Sequence, residues 1–167
     1  MNQAGITVHD RPVVDVALSR AEETEAPAAA LELADGRMIT GKTTDLLGPC
    51  AALLLNALKE LAGIPHSQPV ISPAAIEPIQ TLKTQYLGSK NPRLHMDEVL
   101  IALSVSAASD PNAQKALEQL PNLKGCQAHT SVMVSDVDRK LFMKLSIQAT
   151  FEAKYENNSV IFSKKGI

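Results

Sequence analysis

A short stretch of the chain, residues 36 to 43, carries residue types that bind phosphate in many nucleotide-binding proteins. It consists of Gly36, four intervening residues, Gly41, Lys42 and Thr43. This is the spacing of a phosphate-binding loop, in which backbone N–H groups and the lysine contact phosphate while the hydroxyl contacts magnesium. Such a loop follows a strand and leads directly into a helix that begins at the lysine. The pattern therefore predicts nucleotide binding only if a helix starts at this lysine.

The sequence around the pattern favours a simpler alternative. Asp35-Gly36 predicts a hairpin turn, and Gly48-Pro49 postpones the next helix until well after the lysine. Lys42, Thr43 and Thr44 then lie in a loop before a helix, where backbone amides bind anions without a complete nucleotide loop. Chance matches to this short pattern are frequent, so anion binding by Lys42 and Thr43 is the prediction that we retain.

A second candidate site lies between residues 91 and 98. Asn91, Arg93, His95, Asp97 and Glu98 place an amide, a guanidinium, an imidazole and two carboxylates within a few residues. Such density is typical of ligand sites, but titratable groups also cluster at structural ion pairs. In that alternative the two carboxylates stabilise a helix start, the arginine pairs with one of them, and the histidine is a surface residue.

Cys126 and His129 form a third group, close to the C-terminal end. Two ligands are too few for zinc, which needs four in a structural site and commonly three in a catalytic one, and we predict no metal. A thiolate with histidine as its base is conceivable, but neighbouring strand residues point to opposite faces. A buried core cysteine is the simpler interpretation.

Elements that position these residues can be predicted from periodicity and turn signals. Ala30 to Ile39 alternates around Asp35-Gly36 and predicts a β-hairpin, and Gln68 to Ile71 predicts a short buried strand. Helical spacing predicts the following four helices: Pro49 to Leu61, a segment bearing Ile79, Leu82 and Tyr86 that ends at Gly88, His95 to Ala108, and Asn112 to Leu120.

The last third of the chain changes its period. His129 to Val134 predicts a strand, Ser135 with Asp138 resembles a capping box for a helix to Leu145, and Ile147 to Phe151 predicts a second strand. A final strand is predicted at Val160 to Phe162. The sequence thus predicts one α/β domain over residues 1–167, with a small sheet covered by helices and a C-terminal β-α-β unit. We expect residues 1–10 and 156–167 to be poorly ordered.

Composition limits the classes of function. The chain has 167 residues, 45% apolar residues, 20% charged residues and a net charge of −2, which fits one globular domain. The cations are scattered, so a nucleic-acid partner is not expected. The longest apolar stretch, Leu46 to Leu58, is too short for a membrane span. Because Met1 to Arg11 lacks an export signal, we expect a cytoplasmic protein in which Cys50 and Cys126 stay reduced.

Long stretches of the chain resemble the C-terminal part of the bacterial family called domain of unknown function 1846. They include RPVVDVAL at 11–18, DGRMITGKTTDLLGP at 35–49, LLLNALKELAGIP at 53–65, the stretch from 71 to 104, and EQLPNLKGCQAHTSVMVS at 118–135. The resemblance implies an α/β domain of a longer protein and transfers no activity. Met96 and Pro49-Cys50 depart from the family pattern, as does the tail after Tyr155.

Two hypotheses about function follow, and the sequence does not decide between them. In the first, the domain contributes to a phosphate or nucleotide site in a larger enzyme, using Lys42, Thr43, Asn91, Arg93 and His95 to hold an anionic small molecule. In the second, it is a packing or oligomerisation module without chemistry of its own, which forms a homo-oligomer through its apolar helices. Catalytic residues and cofactors stay unknown on either hypothesis, as does whether the chain is an enzyme.

Overall fold

A computed structural model describes residues 11–153, which form a mixed α/β structure. The helices are α1 (Pro12–Thr24), α2 (Pro49–Ala62), α3 (Pro73–Thr81), α4 (Met96–Ala107), α5 (Pro111–Leu117) and α6 (Asp136–Lys144). The strands are β1 (Ala28–Glu32), β2 (Met38–Lys42), β3 (Gln127–Thr130) and β4 (Gln148–Phe151). A π-helical turn, Leu82–Tyr86, continues α3, and a 3₁₀ turn, Leu120–Leu123, follows α5.

The four strands form one sheet in the order β2-β1-β3-β4. β1 pairs antiparallel with β2 and with β3, whereas β3 and β4 are parallel and are connected through α6. Parallel neighbours require such a crossover. The predicted α/β class and the predicted C-terminal β-α-β unit are therefore confirmed.

Helices cover the two faces of the sheet unequally. α1 packs on one face, where Val13, Val14 and Ala17 surround Ala30 in a small core cluster. The main core lies on the other face, where Ala29 and Leu31 contact α2 and the remaining helices.

α2 is the central helix of the main core. Pro49 opens it, and Gly63 ends it with a φ of 73°, a left-handed conformation that favours glycine. Most of its side chains are buried, as its nearly uniform apolar sequence predicts. Gly41 of β2 lies against its backbone so closely that a Cβ at this position would meet the Leu53 nitrogen at 2.2 Å.

Several predicted boundaries need correction. Residues Gln68 to Ile71 form no strand, although Val70 and Ile71 are buried as expected. The hairpin turn has a three-residue loop rather than two, because the Leu33 N–H bonds to the Arg37 carbonyl and Gly36 adopts a φ of 91°. The helix α1 was not predicted at all.

Three predictions fall outside the described residues. These are the poor order of residues 1–10, the poor order of residues 156–167, and the final strand at Val160 to Phe162. They stay predictions.

Candidate functional site

A cavity of about 350 Å³ lies where the first turns of α2, α4 and α6 meet. We call it the helix-start cavity. Its lining consists of Gly48, Pro49, Lys90, Asn91, Arg93, Leu94, His95, Val132, Met133, Val134, Ser135 and Asp138. Three of these residues, Gly48, His95 and Ser135, are the N-caps of the three helices.

Converging helix starts place partial positive charge at this cavity. The first N–H groups of a helix have no partner within the helix, and the peptide dipoles place partial positive charge there. At α2 the N-cap is Gly48, which has no side chain to satisfy these donors. At α6 the Ser135 hydroxyl accepts the Asp138 N–H at 3.2 Å and satisfies one of them. Anions bind at such helix starts.

The loop before α4 adds cationic side chains to the cavity. Lys90 is exposed, and Arg93 is half-buried. The Arg93 Nε donates to the Thr44 carbonyl at 2.6 Å, so its guanidinium is held at the loop that precedes α2. The Asn91 side chain accepts the Arg93 N–H at 3.0 Å and shapes the loop. Asn91, Arg93 and His95, predicted as one candidate group, therefore line the same cavity.

A buried lysine fixes this loop from below. Lys83, in the π-helical turn, is only 8% exposed, and its Nζ donates to the Arg93 carbonyl at 2.5 Å and to Glu98 Oε1 at 2.9 Å. Glu98 Oε1 also accepts the His95 N–H at 2.8 Å. Burial tends to raise the pKa of Glu98, but these hydrogen bonds outweigh it, and the pKa is lowered. Glu98 is thus a structural carboxylate, as the alternative interpretation of this cluster predicted.

Asp138 brings a carboxyl group to the opposite wall of the cavity. It is 6% exposed, and its Oδ1 accepts the Met96 N–H at 2.9 Å, which ties α6 to the start of α4. Burial raises the pKa of Asp138, against the lowering effect of the Met96 hydrogen bond and of nearby His95. A carboxyl with a perturbed pKa in a cavity is a typical mark of a functional site.

The phosphate-loop pattern does not form a phosphate loop. Lys42 is the last residue of β2, and α2 begins only at Pro49. Gly36 lies in the hairpin loop, and Gly41 is explained by its contact with α2. The Lys42 side chain has no hydrogen bond or ion pair to other residues of the described range, although its backbone pairs with Ala28 in the sheet.

The two predicted groups nevertheless meet in space. The Leu94 N–H bonds to the Leu46 carbonyl at 3.0 Å, and the Gly48 N–H bonds to the Leu94 carbonyl at 3.2 Å. The loops 43–48 and 91–95 are thereby paired next to the cavity. Thr43 lies behind this pair, with its N–H on the Pro27 carbonyl at 2.9 Å and its buried Oγ1 unpartnered within residues 11–153. Neither Lys42 nor Thr43 lines the cavity.

A second polar cluster lies on the α1 side of the sheet, and we call it the sheet-face network. It consists of Arg11, Gln127, His129, Thr150 and Glu152. Arg11 Nη1 donates to Thr150 Oγ1 at 2.6 Å, and this hydroxyl lies 2.6 Å from His129 Nδ1. Because the Glu152 carboxylate accepts, the His129 Nε2–H donates to it at 2.7 Å, while Nδ1 shares a hydrogen bond with the Thr150 hydroxyl. His129, 1% exposed, has both ring nitrogens engaged.

Cys126 and His129 therefore do not form a catalytic pair. Cys126 packs in the main core, and burial raises the pKa of its thiol. A raised pKa leaves little thiolate to act as a nucleophile. Cys50 and Cys126 are both buried and are not joined to each other by a disulfide. In the part of the chain that the structure describes, no group of three or more His, Cys, Asp or Glu is placed to hold a metal ion.

Comparison with known families decides the relationship that the sequence suggests. The profile of the family described as "Domain of unknown function DUF1846, C-terminal" matches residues 9–161. The chain belongs to this family. The helix-start cavity and the sheet-face network both lie within the matched range.

Relatives of this DUF1846 domain are much longer proteins. The chain is 58% identical over 160 residues to a UPF0371 protein of Corynebacterium efficiens, and 56% identical over 160 residues to one of Corynebacterium glutamicum. It is 48% identical over 156 residues to a UPF0371 protein of Streptococcus thermophilus. These matches cover 96%, 96% and 93% of this chain but only 32% of each relative. The chain thus spans about a third of the length of its relatives.

Sequence reasoning missed Lys90 and Asp138, which line the DUF1846 cavity, and Lys83, which lies outside the lining but holds the loop of Arg93. Lys83 was hidden inside an apolar helical segment, and Lys90 is a loop lysine without a motif. Asp138 was recognised only as part of a helix cap. Its role at the cavity depends on α6 packing against the start of α4, which no local pattern reveals.

Proposed function

We propose that this domain contributes a binding site for a small anionic ligand of the phosphate class to the longer proteins of its family. The site is the helix-start cavity, with Arg93, Lys90 and His95 as its cationic or polar side chains. The observation that carries the proposal is the convergence of three helix starts on one cavity that two basic residues also line.

The charge balance of the cavity supports an anion rather than a cation. Arg93 and Lys90 share the cavity lining with one carboxyl group, Asp138, so the cationic side chains outnumber the carboxyl groups there. The first-turn N–H groups add to the two cations, apart from those of Met96 and Asp138, which already donate to Asp138 and Ser135. Lys42 and Thr43 stay part of the proposal as neighbours of the site, because their loop carries Thr44 and pairs with the loop of Arg93.

A ligand screen by thermal shift tests the proposal. The ligands are inorganic phosphate, ATP with magnesium, and sugar phosphates, applied to the chain and, in parallel, to a full-length relative. We expect phosphate compounds to raise the melting temperature, because a ligand that binds only the folded state stabilises it. Lys90→Ala and Arg93→Ala should remove the shift, whereas Lys115→Ala, an exposed lysine remote from the cavity lining, should retain it.

Failure of the screen has a clear meaning. A shift in the longer protein alone would place the ligand site outside this domain or between domains. No shift in either protein would contradict the proposal.

The cellular setting is part of the same proposal. We infer a cytoplasmic protein, because the two cysteines are buried and form no disulfide with each other. Among residues 11–153, no helix combines the length and hydropathy needed to cross a bilayer. The near-neutral charge supports a small-molecule ligand rather than nucleic acid.

A second candidate function is self-association without chemistry. α4 exposes Ile101 at 60% and Val105 at 70%, one turn apart on the same side of the helix. α2, which also suggested an apolar surface, is buried in the main core and gives no support. Light scattering tests this alternative: a dimer that becomes monomeric in Val105→Lys would support it, and a monomer at all concentrations would contradict it.

A further inference from the structure

Anion binding alone leaves one side chain of the helix-start cavity unexplained. Asp138 lines the cavity and is 6% exposed, yet it is acidic. Its Oδ1 accepts the Met96 N–H at 2.9 Å, whereas its Oδ2 has no hydrogen-bond partner among residues 11–153. Oδ2 is not among the sealed, unpartnered side-chain atoms of residues 11–153, so it is open to a donor group that enters the cavity. A donor from inside the cavity would complete the coordination of Asp138.

A phosphate group does not supply that donor. At neutral pH its oxygens are mostly hydrogen-bond acceptors, and its charge repels a carboxylate. A hydroxyl group both donates and carries no charge. The ligand that satisfies the whole cavity therefore has an anionic end for the helix starts and a hydroxyl for Asp138.

The size of the cavity narrows the class further. Its volume of about 350 Å³ is at the lower end of the roughly 300–1,000 Å³ that small-molecule sites occupy. A small phosphate ester fills such a space, whereas the base and ribose of a nucleotide would extend beyond it.

We infer that the helix-start cavity binds a small hydroxylated phosphate ester. Its phosphate lies at the helix starts beside Arg93 and Lys90, and one hydroxyl donates to Oδ2 of Asp138. This inference rests on the proposed function and adds the ligand class. Asp138 is then the residue that distinguishes an ester of this class from inorganic phosphate or an alkyl phosphate.

A matched pair of ligands tests the inference. Glycerol 3-phosphate and propyl phosphate have the same three-carbon chain and differ in their hydroxyls. Their affinities for the chain, with that of inorganic phosphate, are measured by titration calorimetry in wild type and in Asp138→Asn. The asparagine oxygen can still accept the Met96 N–H, so this variant retains the contact between α6 and α4.

We expect wild type to prefer glycerol 3-phosphate over propyl phosphate by about tenfold, because a hydrogen bond to a charged acceptor is among the stronger ones. In Asp138→Asn the preference should fall to about threefold or less, because the acceptor is no longer charged. Binding of inorganic phosphate should be retained or strengthened, since a negative charge has been removed. Asp136→Asn, on the exposed first turn of the same helix, is the control and should keep the full preference.

The outcomes separate this inference from the proposed function. Equal affinity of wild type for the two esters, with phosphate bound, overturns the inference and leaves the anion site intact. An undiminished preference in Asp138→Asn also overturns it. No binding of phosphate or of either ester contradicts both proposals. Should Asp138→Asn fail to fold in a circular dichroism melt, the wild-type ligand pair still decides the ligand class.

Discussion

The helix-start cavity and the sheet-face network contain the same types of side chain but differ in how these are used. The cavity has Arg93, His95 and Asp138, and the network has Arg11, His129 and Glu152. In the network, Arg11 donates to four acceptors and both ring nitrogens of the histidine are engaged. In the cavity, Oδ2 of Asp138 and the ammonium of Lys90 have no partner in residues 11–153.

This difference shows what separates a structural cluster from a ligand site. Residue type alone marks both regions equally. Only the helix-start cavity also has donor and acceptor atoms that the fold leaves without a partner. A saturated network stabilises and rigidifies the sheet, whereas an unsaturated one is available to a ligand. Variants in the two regions should therefore differ: those in the sheet-face network should change stability, and those in the helix-start cavity should change ligand binding.

The largest effect on stability should come from the sheet-face network. His129→Ala should lower the free energy of unfolding by about 2–4 kcal/mol, because it leaves Thr150 and Glu152 without their buried partner. Phosphate affinity should not change. Urea denaturation measures the loss, with His66→Ala, an exposed histidine, as a control that should stay within about 0.5 kcal/mol of wild type. A loss of stability in His129→Ala no larger than that in His66→Ala would show that the network does not stabilise the fold.

Lys83, which holds the loop of Arg93, should affect both stability and phosphate affinity. Lys83→Met should cost about 1–3 kcal/mol of stability, because Glu98 and the Arg93 carbonyl lose a largely buried donor. Phosphate affinity should fall as well, since the loop of Arg93 loses its anchor. Urea denaturation and calorimetry measure the two effects. A loss of stability with unchanged phosphate affinity would show that Lys83 does not support the binding site, and would weaken the contrast between the helix-start cavity and the sheet-face network.

The smallest effects should appear in the pH dependence of stability, with opposite signs at two carboxyl groups. The pKa of Asp138 is raised by burial, so its charged form is disfavoured in the fold and stability falls as pH rises through the folded pKa. Despite burial, hydrogen bonds lower the pKa of Glu98, so Glu98 stabilises the fold at higher pH and this contribution is lost as pH falls through its folded pKa.

Two isosteric variants report these signs. Carboxyl groups titrate between roughly pH 3 and pH 7. Over this range, as pH rises, the free energy of unfolding of Asp138→Asn should increase relative to wild type, and that of Glu98→Gln should decrease relative to wild type. Chemical denaturation at several pH values measures both differences. The same slope in both variants would contradict the division between a structural carboxylate and a cavity carboxyl.

The parts that local patterns determine could be predicted from the sequence. The hairpin at Asp35-Gly36, the helix predicted from Pro49 to Leu61 and the C-terminal β-α-β unit depend on turn residues, caps and periodicity within short windows. The strand predicted around Val70 and Ile71 was wrong, because an apolar stretch indicates that residues are buried but not how their backbone is hydrogen-bonded. α1 was missed because its apolar positions are few and it lies in a charged segment.

The candidate site was predictable only in part. Asn91, Arg93 and His95 lie close together in sequence and line one cavity. Lys42 and Thr43 matched a motif whose strand and helix lie in the wrong places for it. Asp138 and Lys83 act on the loop of Arg93 from distant elements, and their contribution arises from tertiary packing alone.

The most direct test of the account is an NMR titration of the isotopically labelled chain with inorganic phosphate, which follows each backbone amide. The account predicts that the largest chemical-shift changes occur at the helix starts, residues 50–51, 96–97 and 136–137, and that the signals around His129 stay in place. Changes confined to Lys42 and Thr43, or the absence of any saturable change, would contradict the claim that the three helix starts form an anion site.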